Sequence, residues 1–183
     1  MLNSLTKSFR YFSTSSSSLI KRYEISSIAE LSKFTTALAE VSKAGDVFFL
    51  KGELGVGKTA FAREFLRGRT GIADLEVVSP SFTLDITYHH NDVDYHHMDL
   101  YRLEQNQDMT ALDLPNSMKT GVCLIEWPDR LPQDWLPTNR LVDNTAFISY
   151  IYIYPHPFCR RILTCFLSVY LAPLDAYNNF ICV

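Results

Sequence analysis

The stretch Gly52-Glu53-Leu54-Gly55-Val56-Gly57-Lys58-Thr59 fits the pattern G-x-x-x-x-G-K-[ST] without a mismatch. It reads as a phosphate-binding loop. Val47-Phe48-Phe49-Leu50 ahead of it is a short apolar run suited to a buried strand, and the residues from Thr59 to Leu66 favour a helix with Phe61 and Phe65 on one face. Glycines let consecutive backbone N–H groups turn inward around a phosphate, and the following helix N-terminus adds partial positive charge. In that reading Glu53 to Ala60 line a nucleotide, Lys58 reaches its β/γ-phosphates and the Thr59 hydroxyl ligates Mg²⁺. An ordinary glycine-rich turn before a helix is the bland alternative. The expected fold is α/β, a P-loop NTPase with a mostly parallel sheet flanked by helices.

Outward from the loop, Ser27-x-x-Glu30 is a capping box, and Leu31, Phe34, Leu38 and Val41 recur at helical spacing, with Gly45 closing the helix. Beyond the P-loop helix, Gly68 and Gly71 mark a stop. Ser79-Pro80-Ser81-Phe82-Thr83 suits a loop, read either as a nucleotide-sensing switch or as a strand-entry turn. Leu84 to Tyr88 alternates as a strand does, Asn91 to Asp94 supplies turn residues, and Tyr95 to Tyr101 is again strand-like, which predicts a hairpin.

Two acids stand out. Val122-Cys123-Leu124-Ile125-Glu126 ends four apolar residues on a carboxylate, as a buried strand does when it delivers an acid to the carboxyl edge of a parallel sheet. Asp99 is a second strand-borne acid. Phosphoryl transfer needs one group to hold Mg²⁺ and one to orient or deprotonate water. The sequence offers both without saying which does which.

Composition narrows the partners. The chain of 183 residues has a formal net charge of −3, but Lys7, Arg10, Lys21 and Arg22 fall in a leading stretch of 22 residues with no acid, so the remainder carries −7. An acidic body argues against gripping nucleic acid unaided. Cys123, Cys159, Cys165 and Cys182 form no C-x-x-C pair and read as reduced thiols. The doublets His89-His90 and His96-His97 invite a metal reading, yet strand neighbours point to opposite faces, so a doublet is a poor chelator. No D-x-x-G or N-K-x-D occurs, which favours adenine over guanine.

Residues 1–22 have transit-peptide composition, rich in Ser and Thr, with Leu2, Leu5, Phe9 and Phe12 on one helical face. A mitochondrial address is expected ahead of a plastid one; a cytoplasmic protein with a disordered tail is the alternative. Residues 23–145 are then the ATPase domain. From Ala146 to Val183 the only charges are Arg160, Arg161 and Asp175, and the segment is crowded with aromatic and aliphatic residues. Ile162 to Leu174 is too short to span a bilayer comfortably. The expectation for 146–183 is a divergent apolar tail, a splice or gene-model product that does not pack natively, with replacement of missing strands or docking on a membrane or partner as alternatives.

Taken together, Gly52 to Thr59, Ser79-Pro80-Ser81-Phe82-Thr83-Leu84, His97-Met98-Asp99-Leu100-Tyr101-Arg102-Leu103 and Leu124-Ile125-Glu126-Trp127-Pro128 resemble the TsaE (YjeE) family over roughly residues 25 to 137. These are small ATPases of bacterial-type tRNA threonylcarbamoyladenosine biosynthesis. The resemblance implies that Lys58 and Thr59 bind phosphate and Mg²⁺, that Asp99 is an Mg²⁺-associated acid, and that Glu126 is the second functional acid with Trp127 beside it. Ser81 stands where the family usually has threonine. It further implies ATP and Mg²⁺ as ligands, TsaD-like and TsaB-like proteins as partners, and only indirect contact with tRNA, the ATPase resetting an assembly that modifies adenosine 37. A non-hydrolysing nucleotide-binding subunit and a small-molecule P-loop kinase are the competing readings.

Overall fold

A computed structural model describes residues 19–103, 112–132, 148–155 and 165–171. Among the described residues, seven strands form one sheet in the order β1-β7-β6-β2-β5-β4-β3. They are β1 (Leu19–Ile25), β2 (Val47–Lys51), β3 (Asp85–His90), β4 (Val93–Asp99), β5 (Val122–Glu126), β6 (Ile148–Pro155) and β7 (Cys165–Leu171). The central β6, β2, β5 and β4 run parallel, and β3, β7 and β1 join antiparallel at the flanks. The helices are α1 (Ile28–Val41), α2 (Lys58–Thr70) and α3 (Leu114–Thr120).

Alternation along the central strands sends side chains to two separate cores. Phe48, Leu50, Tyr95, Leu124, Ile151 and Ile153 pack with Leu31, Phe61 and Phe65 of α1 and α2 on one face. Val47, Phe49, Met98, Cys123 and Ile125 pack with Leu114 and Met118 of α3 on the other. Buried on both faces, β2 and β5 read as unbroken apolar runs, as parallel central strands must.

Ser27 caps α1 by accepting from Glu30 N at 3.2 Å, while the Glu30 carboxylate reaches back to Ser26 N at 2.8 Å and Ser26 Oγ at 2.7 Å. Those donors hold its carboxyl below the usual glutamate range. The inward stripe of α1 is Leu31, Thr35 and Ala39, with Phe34 and Leu38 partly buried. Val41, expected on that stripe, is 72 % exposed because it is the last helical residue, beyond the reach of α2. α2 runs through Gly68 and stops at Gly71, whose left-handed backbone (φ 72°) closes the last turn through Gly71 N on Arg67 O.

The hairpin is tighter than the sequence suggests. β3 and β4 pair from Asp85↔Met98 to His90↔Val93, leaving a two-residue turn at Asn91 and Asp92, both with positive φ. Asn and Asp tolerate that conformation, and a turn with two such residues matches the strand twist. β4 ends at Asp99 rather than Tyr101.

The apolar C-terminal segment departs from expectation. Its described residues form β6 and β7 in the sheet, and β6 lies parallel to β2 from Val47↔Ile148 to Lys51↔Tyr152. Ile151 and Ile153 are buried in the α1/α2 core. β-branched and aromatic residues suit strands. β1 begins at Leu19, so the boundary expected at residue 22 falls inside a strand.

Candidate functional site

β2 turns into the glycine loop at its carboxyl end, and α2 begins at Lys58 with Gly57 as its N-cap. Gly55 (φ 76°) and Gly57 (φ 108°) adopt left-handed backbone, and a Cβ on either would meet nothing within 4 Å, so the loop is open on that side. No side chain caps α2, which leaves its first N–H groups to face an incoming anion. Leu54 and the Glu53 side chain are exposed, whereas Val56 and Ala60 pack partly against the α1/α2 core.

Lys58 is 4 % exposed. Its ammonium donates to the carbonyls of Gly52 (2.8 Å) and Glu53 (2.7 Å) and lies 4.0 Å above the Trp127 ring. Burial pushes its pKa down, opposed by the charges of Glu126 and Asp99. Trp127 itself has a left-handed backbone (φ 59°), and its ring packs 5.0 Å from that of Tyr101.

The two acids are register partners, Asp99↔Glu126, at the carboxyl ends of adjacent parallel strands, and Leu50, next to the end of β2, pairs with Glu126 from the other side. Asp99 Oδ2 accepts from Ser79 Oγ at 2.7 Å and Oδ1 from Tyr101 N at 3.0 Å. Glu126 Oε1 accepts from Thr59 Oγ1 at 2.8 Å. The loop that holds Ser79 is tied to α2, because Arg63 Nε donates to Val77 O and Arg67 Nε to Leu75 O. Leu84 closes that loop with positive φ, its N–H bonded to Pro80 O.

Lys58, Thr59, Asp99, Glu126 and Trp127 thus converge at one edge of the sheet. The sequence offers His97 only as half of a poorly chelating doublet, not as a neighbour of Glu126. Its ring is fully buried, and Nε2 lies 2.9 Å from Glu126 Oε1. Strand alternation could have found it, since residue 97 shares a face with 95 and 99. The neighbouring His96 points the other way, with Nδ1 3.0 Å from Asp85 Oδ2.

The oxygen-rich donor set of Thr59, Asp99 and Glu126 suits a hard cation such as Mg²⁺. Among the described residues no cluster of three or more His, Cys, Asp or Glu could hold a metal.

The family model for "Threonylcarbamoyl adenosine biosynthesis protein TsaE" matches residues 25–149. The chain belongs to the TsaE family. The TsaE protein of Bacillus subtilis (strain 168) is 40% identical over 111 residues, a span of 61% of this chain and 66% of that one. The TsaE protein of Rickettsia bellii is 34% identical over 125 residues, 68% of this chain and 85% of the relative. Both are described as tRNA threonylcarbamoyladenosine biosynthesis proteins. The crystal structure of Bacillus subtilis YdiB superposes with a TM-score of 0.60 at 23% identity, covering 86% of this chain and 88% of that one. At that identity the likeness shows the fold, and it extends beyond the residues that the TsaE model matches.

Proposed function

We propose that this chain is an ATP hydrolase that serves tRNA threonylcarbamoyladenosine biosynthesis alongside TsaD-like and TsaB-like proteins, contacting tRNA only through them. The observation that supports it best is the pairing of Asp99 with Glu126 at the strand ends, directly beside Lys58 and Thr59 of the glycine loop. Lys58 exchanges its loop carbonyls for β/γ-phosphate oxygens, and the amides from Gly55 to Ala60 cradle them. Thr59 and Asp99 would hold Mg²⁺, with Glu126 within reach of the same ion. When bound, that ion neutralises charge developing on the phosphoryl oxygens. Glu126 accepts a proton from water as its oxygen bonds to the γ-phosphorus, and the bond to ADP breaks with its electron pair leaving on ADP. Trp127 packs over Lys58 and holds it at the loop.

Turnover by the chain alone is slow. Arg63 and Arg67 are bonded to backbone carbonyls, Arg69 donates to Tyr95 Oη, and Arg102 lies over the Phe82 ring 4.2 Å away. These four are engaged with other groups, which supports a partner as the source of that charge or ordering. The test is phosphate release with and without TsaD-like and TsaB-like proteins. Stimulation by the partners, abolished in Glu126→Gln, supports the reading; ATP binding without phosphate release under every condition contradicts it. The basic, acid-free leader supports a mitochondrial address. Residues 1–24 fused to a fluorescent reporter should direct it to mitochondria, and a diffuse cytosolic signal refutes that part.

A further inference from the structure

We infer that His97 is a positioning residue for Glu126, holding one carboxylate oxygen so that the other faces the reacting water; this rests on the hydrolase reading above. Two donors converge on the same atom. Glu126 Oε1 lies 2.8 Å from Thr59 Oγ1 and 2.9 Å from His97 Nε2, and the acid and the imidazole are both buried, at 3 % and 0 % exposure. A carboxylate on a flexible side chain that accepts from α2 on one side and from β4 on the other loses its freedom to rotate. Oε2 remains for chemistry.

The other ring nitrogen sets the tautomer. Among the described residues, His97 Nδ1 is buried without a hydrogen-bond partner. A proton there would be a buried donor without an acceptor, while Nε2 would face a carboxylate oxygen with no hydrogen between them. The hydrogen therefore belongs on Nε2, donated to Glu126. The sheet builds this arrangement directly: His97 lies opposite Leu124 in the β4–β5 register, two residues before Asp99 meets Glu126, so all three share the face covered by α2. Register at β4 thus sets the aim of the acid on β5.

The experiment compares full-length wild type, His97→Leu and His97→Gln, since glutamine can place an amide N–H near the position of Nε2. Single-turnover hydrolysis of ATP with Mg²⁺ should fall about 100-fold in His97→Leu, of the order expected when a reacting group is misaimed, while ATP affinity by calorimetry changes less than about threefold. His97→Gln should recover to within about tenfold of wild type, as expected of a restored donor. A purely structural residue would lower the unfolding midpoint and ATP affinity together, without rescue by glutamine.

Nitrogen-edited NMR of the wild type supplies a readout independent of turnover and of either variant's folding. It should show His97 protonated at Nε2, with that proton's resonance displaced in Glu126→Gln. An unchanged rate in His97→Leu, an equal loss in both well-folded variants, or an unprotonated Nε2 overturns the inference and leaves the hydrolase reading standing. Absence of hydrolysis in the wild type, alone and with partners, overturns the hydrolase reading and this inference with it.

Discussion

Asp99 shows how single side chains prepare this edge of the sheet. With Ser79 on Oδ2 and the Tyr101 amide on Oδ1, the carboxylate is oriented before any ligand arrives. Ser79→Ala removes one of these bonds. The expected cost is about 1 kcal/mol, roughly a fivefold loss of Mg²⁺-dependent ATP affinity. Calorimetry on the variant checks it. Cys123 gives a residue-scale test of the opposite core: burial, with a smaller contribution from Asp85, pushes its thiol well above the ordinary range. The folded state then retains a proton that the unfolded chain releases above about pH 8.5, so the stability this group contributes is complete below that pH and is lost as pH rises. Wild type should lose up to about 1.4 kcal/mol per pH unit more than Cys123→Ala in that range, by urea unfolding between pH 8 and 10. Parallel slopes for the two would contradict the assignment. The placing of Lys58 and Thr59 at the start of α2, at the carboxyl end of β2, is legible in sequence because the loop pattern encodes backbone geometry. The His97–Glu126 contact is not, since it depends on strand register.

Helix α2 carries the loop and must sit close to α1. Gly68 makes that possible: a Cβ there would collide with Thr36 Oγ1 and come within 2.8 Å of Thr36 Cα. Gly68→Ala should therefore destabilise by about 1–3 kcal/mol, the usual cost of overpacking, despite alanine's higher helix propensity. A denaturation midpoint equal to or above wild type would show that the two helices separate at no cost. In the sequence Gly68 reads as a stop signal. It is a packing residue in mid-helix, and Gly71 is the stop, because local pattern cannot reveal which helix lies across a glycine. The same limit explains Val41, apolar and correctly spaced yet exposed, since periodicity does not say where a neighbouring helix ends. Capping at Ser27 and the β3–β4 hairpin were legible because both are local.

At the scale of the molecule, the order β6-β2-β5-β4 places the P-loop strand between two parallel neighbours. β5 and β4 bring the acids, and β6 braces the loop from the other side, where the Ile153 carbonyl lies so close to Gly52 that a Cβ would collide with it. β6 is thus part of the wall behind the glycine loop. A chain ending near residue 143 loses β6 and β7 and leaves β2 and β1 without those partners. It should be markedly less soluble than the full chain and bind ATP more weakly, checked by soluble yield and calorimetry; equal yield and affinity would show the two strands to be dispensable. In the sequence the abrupt loss of charge after residue 146 reads as a break in the domain. Residues 148–155 and 165–171 within it are strands, a distinction that rests on long-range pairing.

All of these arrangements serve one claim, that the glycine loop, Thr59 and Asp99 together hold a magnesium–triphosphate while Glu126 acts on the attacking water. Calorimetric titration of the full-length protein with ATP, with and without Mg²⁺, tests it most directly, using Lys58→Ala and Glu126→Gln as companions. The expected result is Mg²⁺-dependent binding that is lost in Lys58→Ala and kept in Glu126→Gln, whose phosphate release is abolished. Well-folded wild type that binds no purine triphosphate in either condition, or a Lys58→Ala variant that binds as wild type does, would contradict it.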